Sequence, residues 1–167
     1  MILTAFTIFH VLLSLIGIVS GFVVAFELLA SKHSEGWTKL FLATTIATSV
    51  TGFLFPIHGF TPGLGVGIVS MIVLAIACVA LYRFSLAGGW RRTYVITSIV
   101  ALYLNFFVLI VQLFEKVPVL RALAPTQSEP PFQVTQLVAL VFFAALAIRA
   151  SMKFHGGPIN MIGREAL

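Results

Sequence analysis

Five apolar runs, at roughly 4–29, 38–57, 63–83, 93–114 and 132–150, take up most of the chain. Each is close to the ~20 residues that a helix needs to cross ~30 Å of hydrocarbon. All seven prolines, at 56, 62, 118, 125, 130, 131 and 158, fall between or after the runs, where a missing backbone N–H costs little. Thr61-Pro62 and Ser128-Glu129-Pro130 read as N-caps followed by proline at the first helical positions. The expected fold is therefore all-α: an integral membrane bundle of five transmembrane helices over residues 1–154, with a tail at 155–167.

Composition agrees with lipid as the main solvent. Only 9% of residues are charged, against about a quarter in a soluble domain. The net charge of +5 bears on orientation in the membrane, not on nucleic acid. Lys32, Lys39, Arg83, Arg91, Arg92, Arg149, Lys153 and Arg164 fall on one side of the expected bilayer. Lys116 and Arg121 fall on the other, balanced by Glu115 and Glu129. Positive residues collect in the cytoplasm, which places the N-terminus outside and the C-terminus inside. The first run has no basic residues before it and no convincing cleavage site, so it is expected to be a retained span.

Several spans carry polar groups at helical spacing. In span 2, Thr44, Thr48, Thr51, Phe55 and His58 recur at steps of three and four, which stacks them on one face. Thr7, His10, Ser14, Gly17 and Gly21 do the same in span 1. Ser98, Asn105 and Gln112 are a heptad apart in span 4, and Gln133 and Gln136 open span 5. An amide near the bilayer centre has to find a partner in another helix, a ligand or water. His10, Ser14, Thr51, His58, Asn105, Gln112 and Gln136 are accordingly expected to line a polar pocket in the outer leaflet. The hydroxyls have a plainer use, bonding back to their own helix carbonyls. Glu27 lies about a turn from Lys32 and is expected to pair with it or to reach the surface.

His10 and His58 are a candidate pair for haem b iron, copper or zinc, or for hydrogen bonds to a quinone. Gly17/Gly21 and Gly63/Gly67 are small-xxx-small pairs. They suit close helix packing, including a homo-oligomer or a larger membrane complex. Val117, Leu120 and Leu123 are placed to lay one helical turn on the membrane interface. Cys78, the one cysteine, is read as apolar filler.

Absent residues narrow the chemistry. The chain has no Asp, so it has no Ser-His-Asp set, and it has no CxxC, HExxH or phosphate-binding loop. No catalytic residue is expected. The segment Leu123-Ala-Pro-Thr-Gln-Ser-Glu-Pro-Pro-Phe132, with Gln136 beyond it, resembles small hypothetical bacterial inner-membrane proteins of no assigned activity. That resemblance implies a multi-pass protein of the bacterial cytoplasmic membrane. The histidine pair is similar to that of small b-type membrane cytochromes, although those carry histidines within spans at both leaflets. The function expected from these features is a non-enzymatic ligand-binding or accessory subunit with an outward-facing polar pocket. The alternatives are a haem or quinone redox protein, and a small pore or carrier along the threonine stripe of span 2.

Overall fold

The computed structural model describes residues 2–55 and 62–155. Helices account for all regular structure among them: α1 (Ile2–Leu29), α2 (Glu35–Phe53), α3 (Pro62–Cys78), α4 (Trp90–Lys116), α5 (Pro118–Leu123) and α6 (Pro130–Lys153). A π-helical turn, Val79–Arg83, continues α3. Prolines sit in the first turns of α3, α5 and α6, where no N–H bond is lost.

Contacts along the seams fix the helix directions. His10 meets Thr51, Gly17 meets Thr44 and Thr45, and Gly21 meets Phe41, so α2 runs antiparallel to α1. Ser14 meets Asn105 and Gly21 meets Leu102, so α4 also runs against α1. Phe143 of α6 packs on Phe22, Tyr103 and Phe106, joining α1, α4 and α6 in one aromatic cluster. At one end, the His155 N–H donates to Ser31 Oγ at 2.9 Å and ties the end of α6 to the α1–α2 turn. That end also gathers Lys32, Lys39, Arg83, Arg91, Arg92, Arg149 and Lys153. The opposite end holds the start of α1, the end of α4, and α5 with Lys116 and Arg121.

Four helices are long and apolar enough to span a bilayer: Thr4–Leu29, Gly63–Arg83, Trp90–Lys116 and Pro130–Lys153. The expected fifth span, 38–57, is not among them. Residues 35–53 do form a helix of 19 residues, about 28 Å long. Its shortfall is chemical, because Glu35 and Lys39 in its first turns and Thr38, Thr44, Thr45, Thr48, Ser49 and Thr51 along it lower its apolarity. Thr38, Thr44 and Thr45 are buried against the other helices, where their hydroxyls do not meet lipid.

The glycine pairs are filled from within the chain. A methyl built on Gly21 would lie 2.6 Å from Leu102 Cδ1 and 2.8 Å from Phe41 Cε2. One on Gly17 would lie 3.1 Å from both Asn105 Nδ2 and Thr45 Oγ1, and one on Gly67 would lie 3.0 Å from Phe53. These notches seat α2 and α4 side chains, so at Gly17, Gly21 and Gly67 the close approach is made within the chain. Gly63 is exposed.

Candidate functional site: a polar seam between α1, α2 and α4

Two of the pairings follow from helical phase. His10 Nδ1 is 2.8 Å from Thr51 Oγ1, and Thr51 donates its single hydroxyl proton to the Ala47 carbonyl at 2.7 Å. With that proton spent, His10 Nδ1–H is the donor to Thr51. Phe55 meets the same imidazole edge-on, with centroids 5.1 Å apart, and stacks at a tilt on Phe6. One turn deeper, Ser14 Oγ–H donates to Asn105 Oδ1 at 2.8 Å, and Asn105 Nδ2–H reaches the Ser14 carbonyl at 3.4 Å. Asn105 is buried, and its amide also faces the Gly17 notch with Thr44 and Thr45.

Below this cluster the seam closes. Phe41 and Leu102, each 1% exposed, press onto Gly21 from α2 and α4. Past that apolar layer a second polar group appears, made of Thr38, Tyr94 and Ser98 with His33 at its rim. Tyr94 is fully buried, and its hydroxyl faces Thr38 and Ser98 without reaching either in good hydrogen-bond geometry. Ser98 Oγ is likewise buried and unmatched. His33 Nε2 is 3.4 Å from Thr38 Oγ1, and its ring meets Tyr94 edge-on at 6.2 Å. Burial holds the His33 pKa below its usual value, against the opposing pull of Glu27 and Glu35. Glu27 accepts the Ser34 N–H at 3.3 Å and so steadies the α1–α2 turn, in place of the pairing with Lys32.

The threonine stripe divides. Thr44 and Thr51 bond back to the carbonyls of Leu40 and Ala47, each at 2.7 Å, as helical hydroxyls commonly do. Thr48 Oγ1 and its neighbour Thr45 Oγ1 are buried without a hydrogen-bond partner among the described residues. Unmatched hydroxyls therefore lie on both sides of the Phe41–Leu102 layer. Thr38, Thr45 and Tyr94 are the seam residues that sequence reasoning missed. The steps from Tyr94 to Ser98 to Asn105, four and then seven, would have put Tyr94 on the Asn105 face.

The other expected residues lie apart. Gln136 Nε2–H donates to the Phe107 carbonyl at 3.3 Å, a link between α6 and α4, while its Oε1 is buried and unmatched. Gln112 is half-buried on α4. His58 lies outside the described residues, and with it the second half of the histidine pair. Among the described residues no three His, Cys or carboxylate side chains gather as a metal site. Tests against protein-family models, curated proteins and solved structures returned no match.

Proposed function

We propose that this chain is a small non-enzymatic membrane protein that relays protons along the α1–α2–α4 seam, with the Phe41–Leu102 layer as its gate. In this reading all five long helices cross a bacterial inner membrane, and α2 carries its hydroxyls inside the bundle. Positive residues at the end formed by the α1–α2 turn and the end of α6 support a cytoplasmic position for that end.

The observation that carries the proposal is the run of buried hydroxyls that form no well-aligned hydrogen bond among the described residues: Thr48 and Thr45 on one side of the layer, Ser98 and Tyr94, which face each other, on the other. Each costs about 1–3 kcal/mol unless water meets it. Water in such a seam, between hydroxyls and the His10 imidazole, is the material of a proton wire. The apolar layer at Gly21 interrupts the wire at rest. A ligand chamber is the weaker reading, because His10, Thr51, Ser14 and Asn105 spend hydrogen bonds on one another.

Liposomes holding the full chain and an internal pH dye, under an imposed membrane potential, test the proposal. Proton entry from Phe41→Ala well above that of protein-free liposomes, reduced several-fold on adding Asn105→Leu, is the expected result. Entry equal to that of protein-free liposomes in both the wild type and Phe41→Ala would contradict it.

A further inference from the structure

A second site stands apart from the seam, at the corner where α4 turns into α5. There a cleft of about 410 Å³ is lined by Glu115, Lys116, Arg121, Thr126 and Gln127, with Phe114 and Pro125 completing its walls. That volume falls within the ~300–1,000 Å³ typical of small-ligand sites.

The far wall of the cleft is held in place. Gln127, in the left-handed backbone region at φ 58°, sends its Nε2–H to the Val111 carbonyl at 3.1 Å and pins the loop to α4. Glu129 accepts from the Thr126 hydroxyl at 2.8 Å and from the N–H groups of Thr126 and Ser128 at 3.2 and 3.1 Å. Desolvation works to raise the Glu129 pKa, but these bonds outweigh it and hold the carboxyl below its usual range. These bonds tie the loop to α4 and to its own backbone.

Two further observations say what would enter. The charges in the cleft are mixed, with Lys116 and Arg121 as the cations and Glu115 as the carboxylate. The cleft also lies at the end of α4, where a spanning helix would leave the hydrocarbon. Lys116 ends a helix apolar enough to span, and α5 turns Val119 and Leu123, one turn apart, outward at 70% and 54% exposure. An apolar pair beside a charged cleft is the pattern of a helix lying at the membrane interface.

We propose that the cleft holds a phospholipid headgroup bearing both a phosphodiester and a primary ammonium, with the phosphate on Lys116 and Arg121 and the ammonium on Glu115. Arg121 offers the planar fork that phosphate oxygens favour. A primary ammonium donates hydrogen bonds to Glu115, and the quaternary ammonium of a choline lipid has no N–H to give. A purely anionic headgroup leaves Glu115 facing a like charge. The source is the bilayer lipid, although a free glycerophosphodiester carries the same chemistry.

The test is native mass spectrometry of the delipidated full chain with an equimolar mixture of phosphatidylethanolamine, phosphatidylcholine and phosphatidylglycerol. The ethanolamine lipid should be retained several-fold over the other two. Glu115→Gln should erase its advantage over the choline lipid, and Arg121→Gln should lower retention of all three. These side chains are exposed, and circular dichroism of each variant verifies the fold. Displacement by soluble glycerophosphoethanolamine would show that the headgroup suffices, and its failure to displace would assign affinity to the acyl chains as well; both support the site. Equal retention of ethanolamine and choline lipids, preference for the glycerol lipid, or an unchanged pattern in Glu115→Gln would overturn the proposal.

Discussion

The two halves of the seam are built from similar side chains and solve the same problem differently. Above the Phe41–Leu102 layer, two pairs are mated across helices, His10 to Thr51 and Ser14 to Asn105, while the Thr45 and Thr48 hydroxyls beside them stay unmatched. Below it, Tyr94, Ser98 and Thr38 are packed together, yet the Tyr94 and Ser98 hydroxyls remain unmatched. A mated pair fixes helix register, because removing one partner strands the other. An unmatched cluster contributes little to register and leaves sites for water. The upper half therefore reads as the lock of the bundle, and the lower half has no mated pair between α2 and α4 to lose.

The layer between the halves should be the most sensitive point. Gly21→Ala forces Leu102 and Phe41 off the notch they fill, and overpacking of that kind costs about 1–3 kcal/mol. Thermal unfolding in detergent should show a clearly lower Tm, whereas Gly36→Ala, with nothing within 4 Å, should leave it nearly unchanged. Asn105→Leu comes next, at about 1 kcal/mol, by stranding Ser14 Oγ. An equal Tm for Asn105→Leu and the wild type would remove the lock.

The lower half should respond in the opposite sense. Tyr94→Phe deletes a buried hydroxyl that has no good partner, and its stability should stay within about 0.5 kcal/mol of the wild type or rise, with a Tm nearly unchanged or higher. Loss comparable to that of Asn105→Leu would erase the contrast. The smallest expected effect is a pH slope from His33. Its folded pKa lies below the unfolded value of about 6.5, so the unfolded chain binds the proton more readily. Stability from this group is complete above about pH 6.5 and declines as pH falls below it. His33→Gln should flatten the Tm slope between about pH 7 and 5, and a slope that is unchanged would mean that His33 plays no part in it.

Much of the upper half was legible in the sequence, because helical phase alone puts His10 on the face of Ser14 in α1 and Asn105 on the face of Ser98 in α4. The lower half was harder to read. Tyr94 hides in an aromatic-rich span, and Thr45 stands one residue off the Thr44–Thr48–Thr51 stripe, so periodicity passed over both. Helix positions were also readable from hydropathy and proline placement, but the standing of α2 was not. A helix rich in hydroxyls scores as weakly apolar whether it meets lipid or the inside of a bundle. Gly21 showed a close approach without its partner, which is a pair of side chains of the same chain, Phe41 and Leu102. On α5 the expected turn forms, but Leu120 packs inward with Ile110 and Phe114 while Val119 faces out. One residue of phase decides that, and a six-residue helix has too few apolar positions to reveal it.

Proton entry into liposomes carrying Phe41→Ala, compared with Phe41→Ala/Asn105→Leu, tests the gated seam most directly. Removing the plug should speed entry several-fold over the wild type, and adding Asn105→Leu should return it to the wild-type rate. Entry that does not rise on Phe41→Ala, or that rises and is indifferent to Asn105, would mean that protons do not travel between α1, α2 and α4.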